Sequence, residues 1–370
     1  MISNQLLEQI AAHAPGTDKE GVFPQKAFQL LAEEGLLSIT LPGRPLDFKK
    51  GHTAALLQLL KQVGAADLAV GRIYEGHINA LYLIHLFAGT SQQQRWFTDA
   101  QEHKTLFGVW NTQAEGGIRI HDKGNGRYLL EGAKTFCSGA GFIQRPLITG
   151  ALQGSRQEGW QMCIVPVERV DPIVQDTSFW QPMGMKSSVS YRMDFTGIEI
   201  GEEDLLGTPD NYYRQPSFSG GAIRFAAVQL GAAEALLDAT IRYLKELGRI
   251  TDPFQKARVA EMTWLVASGN QWLDSAGTKT DGWLRGDGAK EAEIVAYANM
   301  TRTAIEEICL RVLQLAERSV GARGLMRPRP FERIHRDLTF YLRQPAPDAS
   351  LTAVADHVFN QNRPAHEFWR

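Results

Sequence analysis

The sequence predicts a multidomain α+β fold: a helical N-terminal domain, a middle antiparallel β-barrel or sandwich, and a C-terminal four-helix bundle. Three observations predict it. Apolar residues recur at helical spacing up to about residue 105. From about 105 to 210 the chain breaks into short runs rich in β-branched and aromatic residues, separated by Gly, Asn, Asp and Pro. Helical periodicity then returns from about 220 to the end. The expected domains are residues 1–105, 106–212 and 213–370.

In the first region, Phe28, Leu30, Leu31, Leu36 and Leu37 give one apolar face. TAALLQLLKQVG and INALYLIHLFAG give two more. Gly35, Gly64 and Gly89 are expected at helix C-termini, and Ser91 is expected to cap the next helix. In the second region, LFGVWNTQ, RYLLEGAKTFCSGA, RPLITGALQ, WQMCIVPVERV and SYRMDFTGIEI are expected strands. KGNG at 123–126 reads as a hairpin turn, since Asn and Gly tolerate positive φ. In the third region, Ile223, Ala227, Leu230, Leu237, Ile241 and Leu244 mark a first long helix. VAEMTWLVASGNQWLDSA marks a second and TKTDGWLRGDG a loop. KEAEIVAYANMTRTAIEEICLRVLQLAERSV marks a third, and a short fourth starts near Pro347 and Asp348. Antiparallel helices joined by short loops make a bundle.

The 370 residues are 44% hydrophobic and 22% charged, with a net charge of -2, so no basic excess argues for nucleic acid or an acidic membrane. Cys137, Cys163 and Cys309 show no CxxC pair and no zinc spacing, which fits reduced thiols. His335, His357 and His366 have no carboxylate or second histidine at metal spacing. No signal peptide is visible and no apolar run is long enough to span a membrane, so a cytoplasmic location is expected. No GxGxxG follows an expected strand, so NADPH binding by this chain is not expected.

Seven strings then fall in order: ADLAVGRIYEGHINAL, GTSQQQRWF, VWNTQAEGG, GAKTFCSGAG, WQPMGMKSSVSYRMDF, EEDLLG and SGGAIRFAAVQLGAAEALLDATIRYL. Together they resemble the acyl-CoA dehydrogenase superfamily, with similar order and spacing over nearly the whole chain. The resemblance implies that family's fold, an FAD cofactor and a homodimer or homotetramer. It implies that Asn111 and Thr112 face the flavin pyrimidine and N5, that Phe136 stacks near the ring, and that Ser138 donates a hydrogen bond to it. Gly116 and Gly117 would let the backbone approach a phosphate or substrate. At the adenosine end it implies Arg318, Gly321 and Gly324, with Arg249 at the pyrophosphate. Arg224, Ser187 and Ser188 match its substrate region. The bland alternatives are a core role for Phe136, a solvated helix end for Arg249, and surface turn residues for Ser187 and Ser188. His77, on an expected helix, matches a packing histidine.

The catalytic end departs from the family. Its members remove an α-proton with a glutamate, usually about eight residues beyond an Arg-Asp pair. Here the pair is Arg336-Asp337, and counting forward reaches Pro345. The alternative position, just before Arg224, holds Ile223. Neither can take a proton. Three readings follow. In the first, an acyl thioester, CoA- or carrier-bound, is oxidised with a relocated carboxylate, Asp348 being a candidate, although a helix N-cap is the role its position favours. In the second, the chain is a flavin monooxygenase, with Arg343 a candidate and a separate flavin reductase or electron-transfer partner. In the third, it is a non-catalytic flavin-binding oligomer.

Overall fold

A computed structural model describes residues 2–155, 157–286, 291–343 and 346–369. The chain opens with helices α1 (Asn4–Thr17), α2 (Gln25–Glu33), α3 (Thr53–Ala66), α4 (Leu68–Phe87) and α5 (Thr90–Gln101). Asp67 starts α4 by accepting from the backbone N–H groups of Ala69 and Val70. Gly35 ends α2 in the left-handed region, at φ 69, as expected. The other two glycines act differently. Gly64 lies inside α3, where a Cβ would meet the Val228 carbonyl at 2.4 Å. Gly89 caps the start of α5, so Ser91 is already helical.

The strands are β1 (Phe107–Trp110), β2 (Arg119–Asp122), β3 (Arg127–Glu131), β4 (Ala133–Cys137), β5 (Arg145–Gln153), β6 (Gly159–Ile164), β7 (Val174–Asp176), β8 (Tyr191–Asp194), β9 (Glu199–Gly201) and β10 (Leu205–Leu206). They form two sheets. The larger runs β10-β6-β5-β2-β3-β9, with β1 also on β5, and the smaller runs β4-β8-β7. The 123–126 hairpin joins β2 to β3 in antiparallel register, with Asn125 at φ 55. The pairing is not purely antiparallel, because β1 and β2 both run parallel to β5.

The C-terminal helices are α6 (Ala222–Glu246), α7 (Pro253–Arg285), α8 (Glu291–Gly324), α9 (Phe331–Tyr341) and α10 (Pro347–Phe359). Of the expected loop at 278–288, residues 278–285 are the last turns of α7, which end at the left-handed Gly286, and 287–288 lie outside the described residues. The amphipathic α9 was not anticipated from the sequence. Ala346, at φ 49, precedes α10, so Asp348 is in its first turn and is not the N-cap. No described helix is long and apolar enough to cross a membrane.

One core spans all three regions, with Leu57, Val63, Ile118, Phe195, Val228 and Leu338 among its members. α3 and α6 approach so closely that a Cβ at Gly231 would lie 2.1 Å from the Lys61 carbonyl. His77 ties α4 to the sheet. Its Nε2–H donates to the Leu37 carbonyl at 2.7 Å, and its Nδ1 accepts from the Phe107 N–H at 3.1 Å. Burial pushes the imidazole down to about 4, so it is a neutral packing residue.

Candidate active site

The residues expected at the flavin ring, here called the ring-side wall, come together around an irregularity in β4. Its register against β8 shifts between Lys134 and Cys137. A β-bulge re-aims the side chains on either side of it. Lys134 and Cys137 therefore both point inward, fully buried, while Phe136 turns outward, 47% exposed. Phe136 adopts φ 54, a conformation that bulky residues rarely take. Its ring stands edge-on to Phe179 at 5.2 Å and to Trp180 at 6.2 Å. Thr112 is exposed nearby, and its carbonyl accepts from the Thr135 N–H at 3.0 Å. An exposed aromatic on a strained bulge is what a flat ligand needs and a core residue does not.

Ser138 is half-buried. Its hydroxyl lies 2.9 Å from that of Ser190, which lies 2.8 Å from that of Ser188. Ser190 lies within the WQPMGMKSSVSYRMDF string but was not singled out there. Ser187 and Ser188 are buried in a short 3-10 turn, so they are not surface turn residues. Met185 and Val189 bracket that turn at φ 59 and φ 39. The turn is held from outside the β-domain. The Met185 N–H donates to Asp337 Oδ1 at 2.6 Å, and Arg336 Nη1 donates to the Met183 carbonyl at 3.0 Å. Phe340 stands edge-on to Trp180 at 5.6 Å, and Trp180 in turn meets Phe136. The Arg336-Asp337 pair on α9 therefore braces the ring-side wall. Burial pushes the Asp337 carboxyl up to about 7.

Beneath this wall lies Lys134. Its ammonium donates to the Asn111 carbonyl and to Thr149 Oγ1, both at 3.0 Å, and Thr149 donates to Asn111 Oδ1 at 2.5 Å. Among the described residues it makes no ion pair. Burial lowers it to about 7. Gly117 sits at φ 63, and a Cβ at Gly132 would lie 2.0 Å from its carbonyl. That crossing of two backbones requires glycine at 132.

Val109, two residues before Asn111, lines a cavity of about 360 Å³ between α4, α6 and α8. Its walls carry Glu75, Asn79, Arg224 and Arg302. These form a polar chain. Arg72 pairs with Glu75 at 2.8 Å, Asn79 Nδ2 donates to Glu75 Oε1, and Arg224 Nε donates to Asn79 Oδ1. Glu75 lies within the ADLAVGRIYEGHINAL string but was not singled out there. Ile223 is buried and apolar, as its position required. Pro345 lies outside the described residues. Asp348 is exposed in the first turn of α10, and Arg343 pairs with Glu306 at 2.5 Å.

The residues expected at the adenosine end are elsewhere on the bundle. Arg249 is exposed just after α6, and Arg318 is exposed on α8 with its carbonyl accepting from Arg258 Nη1 at 3.0 Å. Gly321 breaks α8 at φ 60, and Gly324 is buried against Val320. Among the described residues no hydrogen bond joins these four to the ring-side wall. His335 pairs with Glu317, and no described group of three acidic, histidine or cysteine side chains could hold a metal.

Comparison with known proteins bears on the family and the fold. The profile of the acyl-CoA dehydrogenase N-terminal domain matches residues 1–103, and that of the acyl-CoA dehydrogenase C-terminal domain matches residues 223–342. A Bacillus subtilis protein named "Probable acyl-CoA dehydrogenase YngJ" is 26% identical, over 91% of this chain and 90% of its own. The dibenzothiophene monooxygenase of Mycolicibacterium goodii is 22% identical, over 95% and 91%. The crystal structure of FMN-bound TdsC from a Paenibacillus strain shares the fold, with a TM-score of 0.85 over 99% of this chain and 98% of that one, at 17% identity.

Proposed function

We propose that this chain, which belongs to the acyl-CoA dehydrogenase superfamily, is a flavin-dependent monooxygenase acting on a small polar substrate. The observation that carries the reading is the polar cavity wall. A fatty acyl chain would desolvate Glu75, Asn79 and Arg224 without offering them partners. The α6 base position holds Ile223, and the one acidic side chain on the wall among the described residues, Glu75, is held by Arg72 and Asn79. Oxygen transfer needs no α-proton base.

The ring-side residues fit a flavin. Phe136 and Trp180 would offer an apolar edge, Thr112 and Asn111 polar groups beside it, and the Ser138–Ser190–Ser188 hydroxyls a proton-sharing chain. A bound reduced flavin supplies two electrons to O2, so that one oxygen atom enters the substrate and the other leaves as water. Those electrons would come from a separate NAD(P)H-dependent flavin reductase. Asn111 is held rigid by Lys134 and Thr149, and α9 braces the opposite edge. FAD rather than FMN would use Arg249, Arg318, Gly321 and Gly324, presented by a second copy of the chain in a homo-oligomer.

A second reading keeps one observation in its favour. Glu75 is a carboxylate on the cavity wall, so it could serve as the base of an acyl-thioester dehydrogenase. One pair of experiments decides. Oxidised holoenzyme is mixed anaerobically with a panel of acyl-CoA thioesters, and the oxidised-flavin absorbance is followed. Chemically reduced enzyme is then mixed with O2 and candidate substrates. The monooxygenase reading expects no bleaching in the first and oxygenated product in the second. Bleaching by a thioester overturns it.

A further inference from the structure

The β-domain buries one cation beneath the ring-side wall without giving it an acid. Lys134, on β4, is fully buried. Its ammonium lies 5.5 Å from the centroid of the Trp160 ring on β6, which attracts a cation without neutralising it. The titratable groups that face it are the thiols of Cys137, on its own strand, and Cys163, on β6. Burial pushes both thiols up, so neither carries negative charge near neutral pH. Among the described residues no carboxylate pairs with the lysine, and its hydrogen bonds go to neutral oxygens. A buried charge without a partner is costly, and a negative charge bound nearby offsets that cost.

The hydrogen bonds around this cation run in one direction. An ammonium can only donate. It donates to the Asn111 carbonyl and to the Thr149 hydroxyl, both at 3.0 Å. The Thr149 hydroxyl passes its own proton on to Asn111 Oδ1 at 2.5 Å. Asn111 is half-buried, and with its side-chain oxygen taken on the inner side, its Nδ2–H groups are left as donors on the other. Each bond of such a chain polarises the next, so the lysine charge is felt at the amide. A ligand group meeting that amide has to accept hydrogen bonds, and negative charge on it is favoured.

We propose that Lys134 is the counter-charge of reduced flavin, acting through Thr149 and Asn111, so that the seat holds reduced flavin more tightly than oxidised flavin. The inference rests on the reading of this wall as the flavin seat. Reduction by two electrons and one proton leaves negative charge on the flavin pyrimidine, the edge Asn111 is expected to face. The electrons come from the separate flavin reductase, and a seat with this preference takes the reduced form from solution ahead of the oxidised one. Lys134 touches no flavin atom. It is a positioning residue whose charge sets which redox state is held.

The test is the midpoint potential of flavin bound to the purified holoenzyme, with protein in excess. It is measured by anaerobic reductive titration against a reference dye, with the same flavin free in solution as the standard. The titration is run at about pH 6, below the value of about 7 to which burial lowers the lysine. Binding reduced flavin tenfold more tightly than oxidised flavin raises the potential by about 30 mV for a two-electron couple. The wild-type potential is expected above that of free flavin. Lys134→Met and Lys134→Gln are each expected to lower it by about 30 mV or more, because affinity for reduced flavin falls about tenfold further than affinity for oxidised flavin. Thr149→Val keeps the lysine and cuts the relay, so it is expected to lower the potential too, and Thr149→Ser to restore it. A lysine that only props up Asn111 would weaken both redox states equally and leave the potential unmoved. Melting curves report folding, and the Thr149 pair decides if the lysine variants do not fold. A wild-type potential at or below that of free flavin, or one unchanged in every folded variant, overturns the proposal. Binding of neither redox state removes the flavin seat and this inference with it, whereas bound flavin with an unmoved potential removes only the role of Lys134. The thioester and oxygen experiments bear on the reaction alone, so either result can fail without the other.

Discussion

The Met185 backbone N–H, in the β-domain, donates to the carboxylate of Asp337 on α9 at 2.6 Å. That bond crosses 152 residues of sequence and fixes the turn that carries Ser187 and Ser188. It also gives the wall a dependence on pH.

Asp337 is raised to about 7 in the folded chain, against about 3.9 unfolded. Between those values the native state holds a proton that the unfolded state has lost, so stability falls as pH rises through that window. Asp337→Asn keeps an oxygen for the Met185 N–H and cannot titrate. Melting from pH 4 to 8 should therefore show wild type losing stability relative to the variant, on the order of a few kcal/mol. A constant difference across the range would sink this account.

Lys134 has the opposite sign. Its folded pKa is lowered to about 7, against about 10.4 unfolded. The native state sheds its proton first, so wild type should gain stability over Lys134→Met as pH climbs from about 7 to about 10. The variant also frees Asn111 and Thr149. Flavin titration by fluorescence quenching should show affinity lowered about tenfold. Unchanged affinity would show that Asn111 does not depend on this lysine.

Phe136 separates stability from binding. The ring is exposed, so Phe136→Ala should change unfolding free energy by no more than about 1 kcal/mol. Its flavin affinity should nevertheless fall clearly below that of wild type. Denaturant melts and flavin titration on the same preparation check both halves.

Glu75→Gln tests the two readings of the cavity. Losing the Arg72 ion pair should lower stability, because Arg72 is left without its acid. Under the monooxygenase reading, oxygenated product persists at a reduced rate. If wild type bleaches anaerobically with a thioester and the glutamine variant does not, Glu75 is the base and the dehydrogenase reading stands.

Helix contact is tested at glycines. Gly231→Ala forces α3 away from α6 and should cost about 1–3 kcal/mol. Gly16→Ala, in α1 with open space around it, should be neutral or gain up to about 1 kcal/mol. Equal effects at the two sites would contradict the close approach.

By itself the sequence determined the order of helices, sheets and helices, the 123–126 hairpin, and the grouping of Thr112, Phe136 and Ser138 within one β-region. Periodicity and turn chemistry are local, so they are readable in a run of residues. The missing base at Ile223 was readable too, because it needed only one residue type at one position. Tertiary structure alone decided the rest. Gly64 looks like a helix end until Val228 is packed on it. Glu75 lies in an unremarkable helix until folding sets Arg72, Asn79 and Arg224 around the same cavity. Phe136 reads as a strand residue until the bulge turns it outward. Asp337 reads as half of a landmark pair until α9 lands on the Met185 turn. In each case the deciding contact is between segments far apart in the chain, and no local pattern records which faces will meet.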